Sequence, residues 1–97
     1  MPTYVGLYRY TQRGIESIKE GPARFDAAKK ALEEAGGKLI GFYLTMGQYD
    51  AVTVVEFPDD ETAAKFSLYG CSQGYIRSET LRAFTEEEYR TIIAALP

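Results

Sequence analysis

Three groups of residues have the types and spacing to do chemistry. The first is Tyr49-Asp50, closing the turn Gly47-Gln48-Tyr49-Asp50. It sets a carboxylate that can accept a proton beside a phenol that can give one. The second is Glu56, the one carboxylate in the apolar run from Ala51 to Phe57. A carboxylate held inside a sheet needs a cation, and Arg77 or Arg82 can supply it. Such a Glu–Arg pair would hold an anionic or carbonyl substrate or lock two copies together; at the end of a strand, Glu56 is simply hydrated. The third group is Tyr4, Tyr8 and Tyr43, aromatic walls for a flat, aromatic or quinone-like molecule or packing between two sheets. Catalytic candidates are therefore Glu56, Asp50, Tyr43 and Arg77, and ligand-binding candidates are Tyr8, Tyr43, Tyr49, Glu56 and Arg77.

Each group also has a purely structural reading. Asp favours turns by bonding its own backbone, and Gly47 supplies a positive φ, so turn chemistry alone explains Gly47 to Asp50. The chain has no histidine, so the commonest proton carrier and metal ligand is missing. Cys71 is the sole cysteine. It excludes an internal disulfide, has no Cys–His pairing available, and reads as a small apolar side chain. Gly36-Gly37 lacks the pattern of a phosphate loop. The expectation is no metal and no organic cofactor.

The elements that position these residues follow from the pattern. Thr3 to Tyr10 alternates, with Val5, Leu7 and Arg9 on one face and Tyr4, Tyr8 and Tyr10 on the other. Thr11 can cap a short turn in the long connection that follows, with Ile15 and Ile18 packing it down. Pro22 opens a helix with Phe25, Ala28, Ala31, Leu32 and Ala35 on one face. So many alanines predict a close approach of helix to sheet. Gly36-Gly37 ends it, and Lys38 opens the second strand. The third strand, Ala51 to Phe57, is apolar enough to be covered on both faces. Asp59 caps a second helix that ends before Gly74. Tyr75 to Phe84 carries Arg77, Glu79 and Arg82, as an edge strand does. Thr85-Glu86-Glu87-Glu88 is a capping box, with Phe84 and Tyr89 at the staple positions. Tyr89, Ile92, Ile93 and Leu96 form a stripe on the last helix.

The order β-α-β-β-α-β plus a terminal helix defines a ferredoxin-like α+β sandwich, a single domain spanning residues 1–97. In that topology the first and third strands are central, and they are the most apolar. Helices cover one sheet face; the other, left apolar, predicts a homodimer and leaves room for a higher homo-oligomer. A net charge of −3 argues against a nucleic-acid partner. The absence of a signal peptide or membrane span predicts a cytoplasmic protein without a membrane partner.

The chain also resembles the GYD-domain family, small proteins of the dimeric α+β barrel superfamily. The resemblance runs through Thr11-Gln12-Arg13-Gly14-Ile15, Gly36-Gly37-Lys38-Leu39, Phe42 to Asp50, Val55 to Asp60, and Arg77 to Thr85. It implies the fold and the dimer but no single activity, because that superfamily includes cofactor-independent monooxygenases, isomerases and sensory ligand-binding domains. The leading expectation is a dimeric protein that binds a small aromatic or carbonyl molecule, in a pocket between sheet and helices or in the dimer. The alternatives are a cofactor-independent oxygenase- or isomerase-like enzyme and a structural assembly module.

Overall fold

Antiparallel pairing of four strands builds the body. The computed structural model describes residues 1–97, with β1 (Thr3–Tyr10), β2 (Lys38–Leu44), β3 (Ala51–Glu56) and β4 (Ile76–Ala83) in the order β2-β3-β1-β4. The two most apolar strands are central, and the charged β4 is an edge, as the pattern requires. The helices are α1 (Gln12–Glu16), α2 (Gly21–Glu34), α3 (Asp60–Ser72) and α4 (Glu86–Ala94), with a 3-10 turn at Ile18–Glu20. None is long and apolar enough to cross a membrane.

Local chemistry sets the ends of these elements. The Thr11 hydroxyl accepts from Gly14 N–H to start α1. Pro22 stands in the first turn of α2, and Gly36, at φ 84°, turns the chain back toward the sheet. Asp59 accepts from Thr62 N–H to cap α3, and this hydrogen bond holds its carboxyl below the ordinary range. Thr85 and Glu88 form the full capping box of α4, which lowers the Glu88 carboxyl in the same way. Gly14 meets a different demand: a Cβ there would stand 2.1 Å from the Tyr75 carbonyl oxygen, so only glycine admits this contact between backbones.

The core is small. Tyr4, Leu32, Val55, Phe57 and Ala63 form its buried cluster, with Leu39 and Phe66 packed against it. Tyr4 meets Phe57 edge-on at 5.8 Å and donates its hydroxyl hydrogen bond to Asp60 in the first turn of α3. Burial, followed by the Asp60 contact, pushes the Tyr4 phenol up to about 12. Only nine of the 97 residues are buried, and the accessible surface is 6849 Å², against about 5,500 Å² for a compact chain of this mass. The chain extends 52 × 31 × 18 Å. The excess of about 1,300 Å² comes from a bare sheet face and a projecting terminal helix.

Alternation puts Tyr4, Tyr8, Ala51, Thr53 and Val55 toward the helices. Val5, Leu7, Val52 and Val54 lie on the opposite face, which no element of the chain covers. Helix α2 also departs from expectation. Leu32 is its one buried side chain, and Ala28 and Ala35 are exposed. Phe25 stacks on Phe42 at 4.5 Å and props the helix off the sheet, leaving a space that alanine methyls are too short to fill.

The raised Tyr4 value gives a pH prediction. A folded value above the unfolded value of 10.0 means that the contribution is complete below pH 10 and is lost as pH rises through about 12. Tyrosinate absorbance on alkaline titration should show a tyrosine ionising near pH 12 that Tyr4→Phe removes. That variant keeps the ring packing and loses a charge-assisted hydrogen bond, so its urea unfolding should show a deficit of about 1–2 kcal/mol.

Candidate functional site

The largest concavity is a cleft of about 760 Å³ between α2 and α3, floored by the helix-side face of the sheet. Most of its lining is apolar, including Phe25, Phe42, Leu44, Phe66 and Ile76. Polar atoms in the floor come from Tyr8 and Thr53, whose hydroxyls are 3.5 Å apart. Gly6 makes that floor possible. A Cβ on it would lie 2.6 Å from Thr53 Oγ1 and 2.7 Å from the Tyr8 ring, so the ring lies flat only because the side chain is absent. Arg24, in the lining, sits 3.8 Å above the Tyr75 ring and bridges to Glu20 at 3.1 Å. An apolar trough with a few polar atoms at one point is the usual form of a small-molecule site.

The sequence candidates divide between the two faces of the sheet. Tyr8 lines the cleft. Tyr43 pairs with Val52 and so belongs to the open face. Alternation from Leu39 would place it with Tyr8, but the irregularity between Leu39 and Gly41 reverses the parity. Its ring lies over Gly41, where a Cβ would approach it to 3.1 Å. Tyr49 donates to Glu79 at 2.9 Å, and Arg9 covers its ring at 4.8 Å while donating to the Gln48 carbonyl at 3.0 Å. The Glu79 hydrogen bond, with some burial, raises the Tyr49 phenol.

Asp50 is committed to the backbone. Its Oδ2 accepts from Tyr10 N–H at 2.9 Å, its own N–H donates to the Tyr8 carbonyl at 2.8 Å, and its carbonyl accepts from Thr45 N–H at 2.9 Å. Gly47 takes φ 116°, and the Thr45 hydroxyl donates to the Tyr49 carbonyl at 2.6 Å. Together these bonds tie the β2–β3 turn to the end of β1.

Glu56 lies at the last position of β3, half-buried, opposite Thr3 and Lys38. The expected Glu–Arg pair does not form: the ion pairs join Arg24 to Glu20, Lys65 to Glu61 and Arg90 to Glu86. Arg82 instead stacks on Phe84 at 4.5 Å and lies 5.7 Å from the Tyr4 ring. Arg77 borders a shallow hollow of about 270 Å³ between α3 and β4 with Ser67, Leu68, Cys71, Ser78 and Thr80. Cys71 is half-buried there, its sulfur 3.3 Å from the Ser78 hydroxyl. Neither the cleft nor the hollow brings together two of Glu56, Asp50, Tyr43 and Arg77. Phe25, Phe42, Thr53 and Phe66 complete the cleft and lie outside the sequence candidates. The one signal for them is a helix face with a single large residue, Phe25, ahead of a row of alanines.

These features define a ferredoxin-like α+β domain with one bare sheet face and an apolar cleft beneath its helices. The GYD domain model matches residues 4–93, and the chain belongs to that family. It is 34% identical over 84 residues to the glutamine synthetase and cystathionine beta-lyase binding protein of Thermus thermophilus, covering 86% of this chain and 88% of that protein. A crystal structure of a Thermus thermophilus protein resembles it with a TM-score of 0.55 and 28% identity, over 88% of this chain and 95% of that one.

The bonding of Asp50 predicts a stability role that mutation can separate from charge. Asp50→Ala strands the Tyr10 N–H and should lower unfolding free energy by about 1–3 kcal/mol in urea. Asp50→Asn keeps an acceptor oxygen and should recover most of that loss.

Proposed function

We propose that the protein is a homodimeric binding protein that takes a small, largely apolar molecule in the cleft between α2 and α3. The single observation that carries this reading is the cleft itself, about 760 Å³ of mostly apolar lining with the Tyr8 and Thr53 hydroxyls in its floor. Burying apolar ligand surface there gains about 25 cal/mol per Å², and the two hydroxyls favour a molecule with one carbonyl or hydroxyl group over a pure hydrocarbon. Tyr8 is thus the binding candidate that the cleft supports. Tyr43, Tyr49 and Glu56 belong to the open face and are assigned to the contact between copies; Arg77 sits at its edge.

The dimer rests on that open face. Val5, Leu7, Val52 and Val54 form a contiguous apolar surface there, with Leu81 and Tyr43 on the flanking strands, 49% and 63% exposed. Two such sheets packed face to face would shield it by the commonest symmetry of soluble oligomers.

A second reading, protein partners, is supported by the relative described as binding glutamine synthetase and cystathionine beta-lyase. Its check is biolayer interferometry with the two purified enzymes; absence of a concentration-dependent response to both would remove it.

Two outcomes are expected for the main reading. By light scattering at micromolar concentration the wild type should be at least twice the 10.8 kDa chain mass, and Val54→Lys should weaken that association. An apolar fluorescent naphthalene-sulfonate probe should bind the wild type saturably, and Ala28→Trp, which fills the cleft from its exposed wall, should weaken it at least tenfold. Equal binding by both proteins would rule out the cleft as the site.

A further inference from the structure

The cleft has a shape as well as an apolar character. Tyr8 in its floor stands beside Gly6 on the same face, with Ala51 and Ser78 across from it and Thr53 across from Gly6. These neighbours are small, and the Tyr8 ring lies down among them because Gly6 has no side chain to lift it. Facing the floor, α2 presents the methyl groups of Ala27, Ala28 and Ala31. The bulk stands at the sides, in the Phe25–Phe42 pair and in Phe66. A space with a low floor, a smooth roof and bulky sides is a slot. A planar ring system fills a slot more closely than a saturated body of similar size, and the phenylalanine walls add a preference for an aromatic one.

The floor also holds a proton without an acceptor. Thr53 is 7% exposed, and its hydroxyl has one hydrogen-bond partner, the Tyr8 oxygen at 3.5 Å. Tyr8 is half-buried and lines the cleft, and its own O–H reaches no acceptor in the protein. Two hydroxyls share a single hydrogen bond, so one hydrogen is left over. Thr53 lies beneath, and the free hydrogen belongs to the phenol that faces the cleft. A lone donor in an apolar slot selects a ligand with an acceptor at the matching point. A ring carbonyl meets that need without widening the ligand, because its lone pairs lie in the plane of the ring.

We propose that the cleft is selective for a planar aromatic carbonyl compound, whose carbonyl oxygen accepts the free hydrogen of the Tyr8 hydroxyl. The inference rests on the reading of the cleft as a ligand site and names the class of ligand. Tyr8 is then a specificity-determining residue, and its contribution is separable from the apolar attraction of the walls. In a cleft without a donor, burying a carbonyl is a cost and the plain hydrocarbon binds better.

The test is displacement of the naphthalene-sulfonate probe from the full-length protein by matched compounds. Fluorenone is planar and carries a carbonyl; fluorene is planar and carries none. Dicyclohexyl ketone has the carbonyl on a saturated, non-planar body of the same carbon count. Fluorenone should displace the probe at a concentration about three- to tenfold lower than either of the others. Tyr8→Phe should erase its advantage over fluorene and keep its advantage over dicyclohexyl ketone, a split that general damage to the fold does not produce. Fluorene binding as tightly as fluorenone to the wild type would overturn the proposal, and so would dicyclohexyl ketone doing so. A Tyr8→Phe protein that still prefers fluorenone to fluorene would overturn it too. The underlying reading fails differently: the probe then binds the Ala28→Trp protein as it binds the wild type. Probe binding that Ala28→Trp weakens, with no displacement by any of the compounds, keeps the cleft as a ligand site and rejects this class of ligand.

Discussion

The constraint behind the whole structure is that its two central strands are apolar on both faces, while the chain supplies cover for only one. In β1, Tyr4 and Tyr8 point one way and Val5 and Leu7 the other; in β3, Thr53 and Val55 oppose Val52 and Val54. Two helices of 13 and 14 residues can shield one side of a four-stranded sheet. The single chain therefore remains thinly packed, with a core gathered at one end around Tyr4, Leu32 and Phe57. The same shortage explains the cleft, since α2 is anchored by Leu32 and propped by Phe25 with little but alanine between.

The Gly47 to Asp50 turn takes its meaning from this arrangement. Its carboxylate satisfies a backbone donor at the end of β1, and its tyrosine reaches across the sheet to Glu79 on β4. With Arg9 lying on the Tyr49 ring, the turn fastens three strands at one end of the open face. That end is held by polar contacts while the middle of the face stays apolar. This distribution separates a rim from a centre in the way interfaces commonly do.

Much of the fold was legible because the signals are local. Pro22, the Gly36-Gly37 pair, Asp59 and the Thr85–Glu88 box each mark an end through bonds made within a few residues. Strand order was legible because the two apolar runs needed the middle of the sheet. The site was less so, because its geometry depends on contacts between distant residues. One bulge between Leu39 and Gly41 sends Tyr43 to the face opposite Tyr8, and composition cannot report it. The stand-off of α2 comes from Phe25 meeting Phe42. Glu56 looked like a charge inside an apolar strand, but the strand ends on it, so water reaches it and no arginine is recruited.

Gly14 carries a further consequence. Its backbone lies against the Tyr75 carbonyl, and Thr11 is bonded to the same turn, donating through N–H to Tyr75 and through its hydroxyl to Gly74. Arg13 and Arg24 both stack on the Tyr75 ring. The connection after β1 and the joint between α3 and β4 are therefore one mechanical piece, although some sixty residues separate them in sequence. That piece forms a wall of the cleft mouth. The mouth has a fixed sill on the Tyr75 side, so any widening of the cleft falls to α2 and its row of alanines.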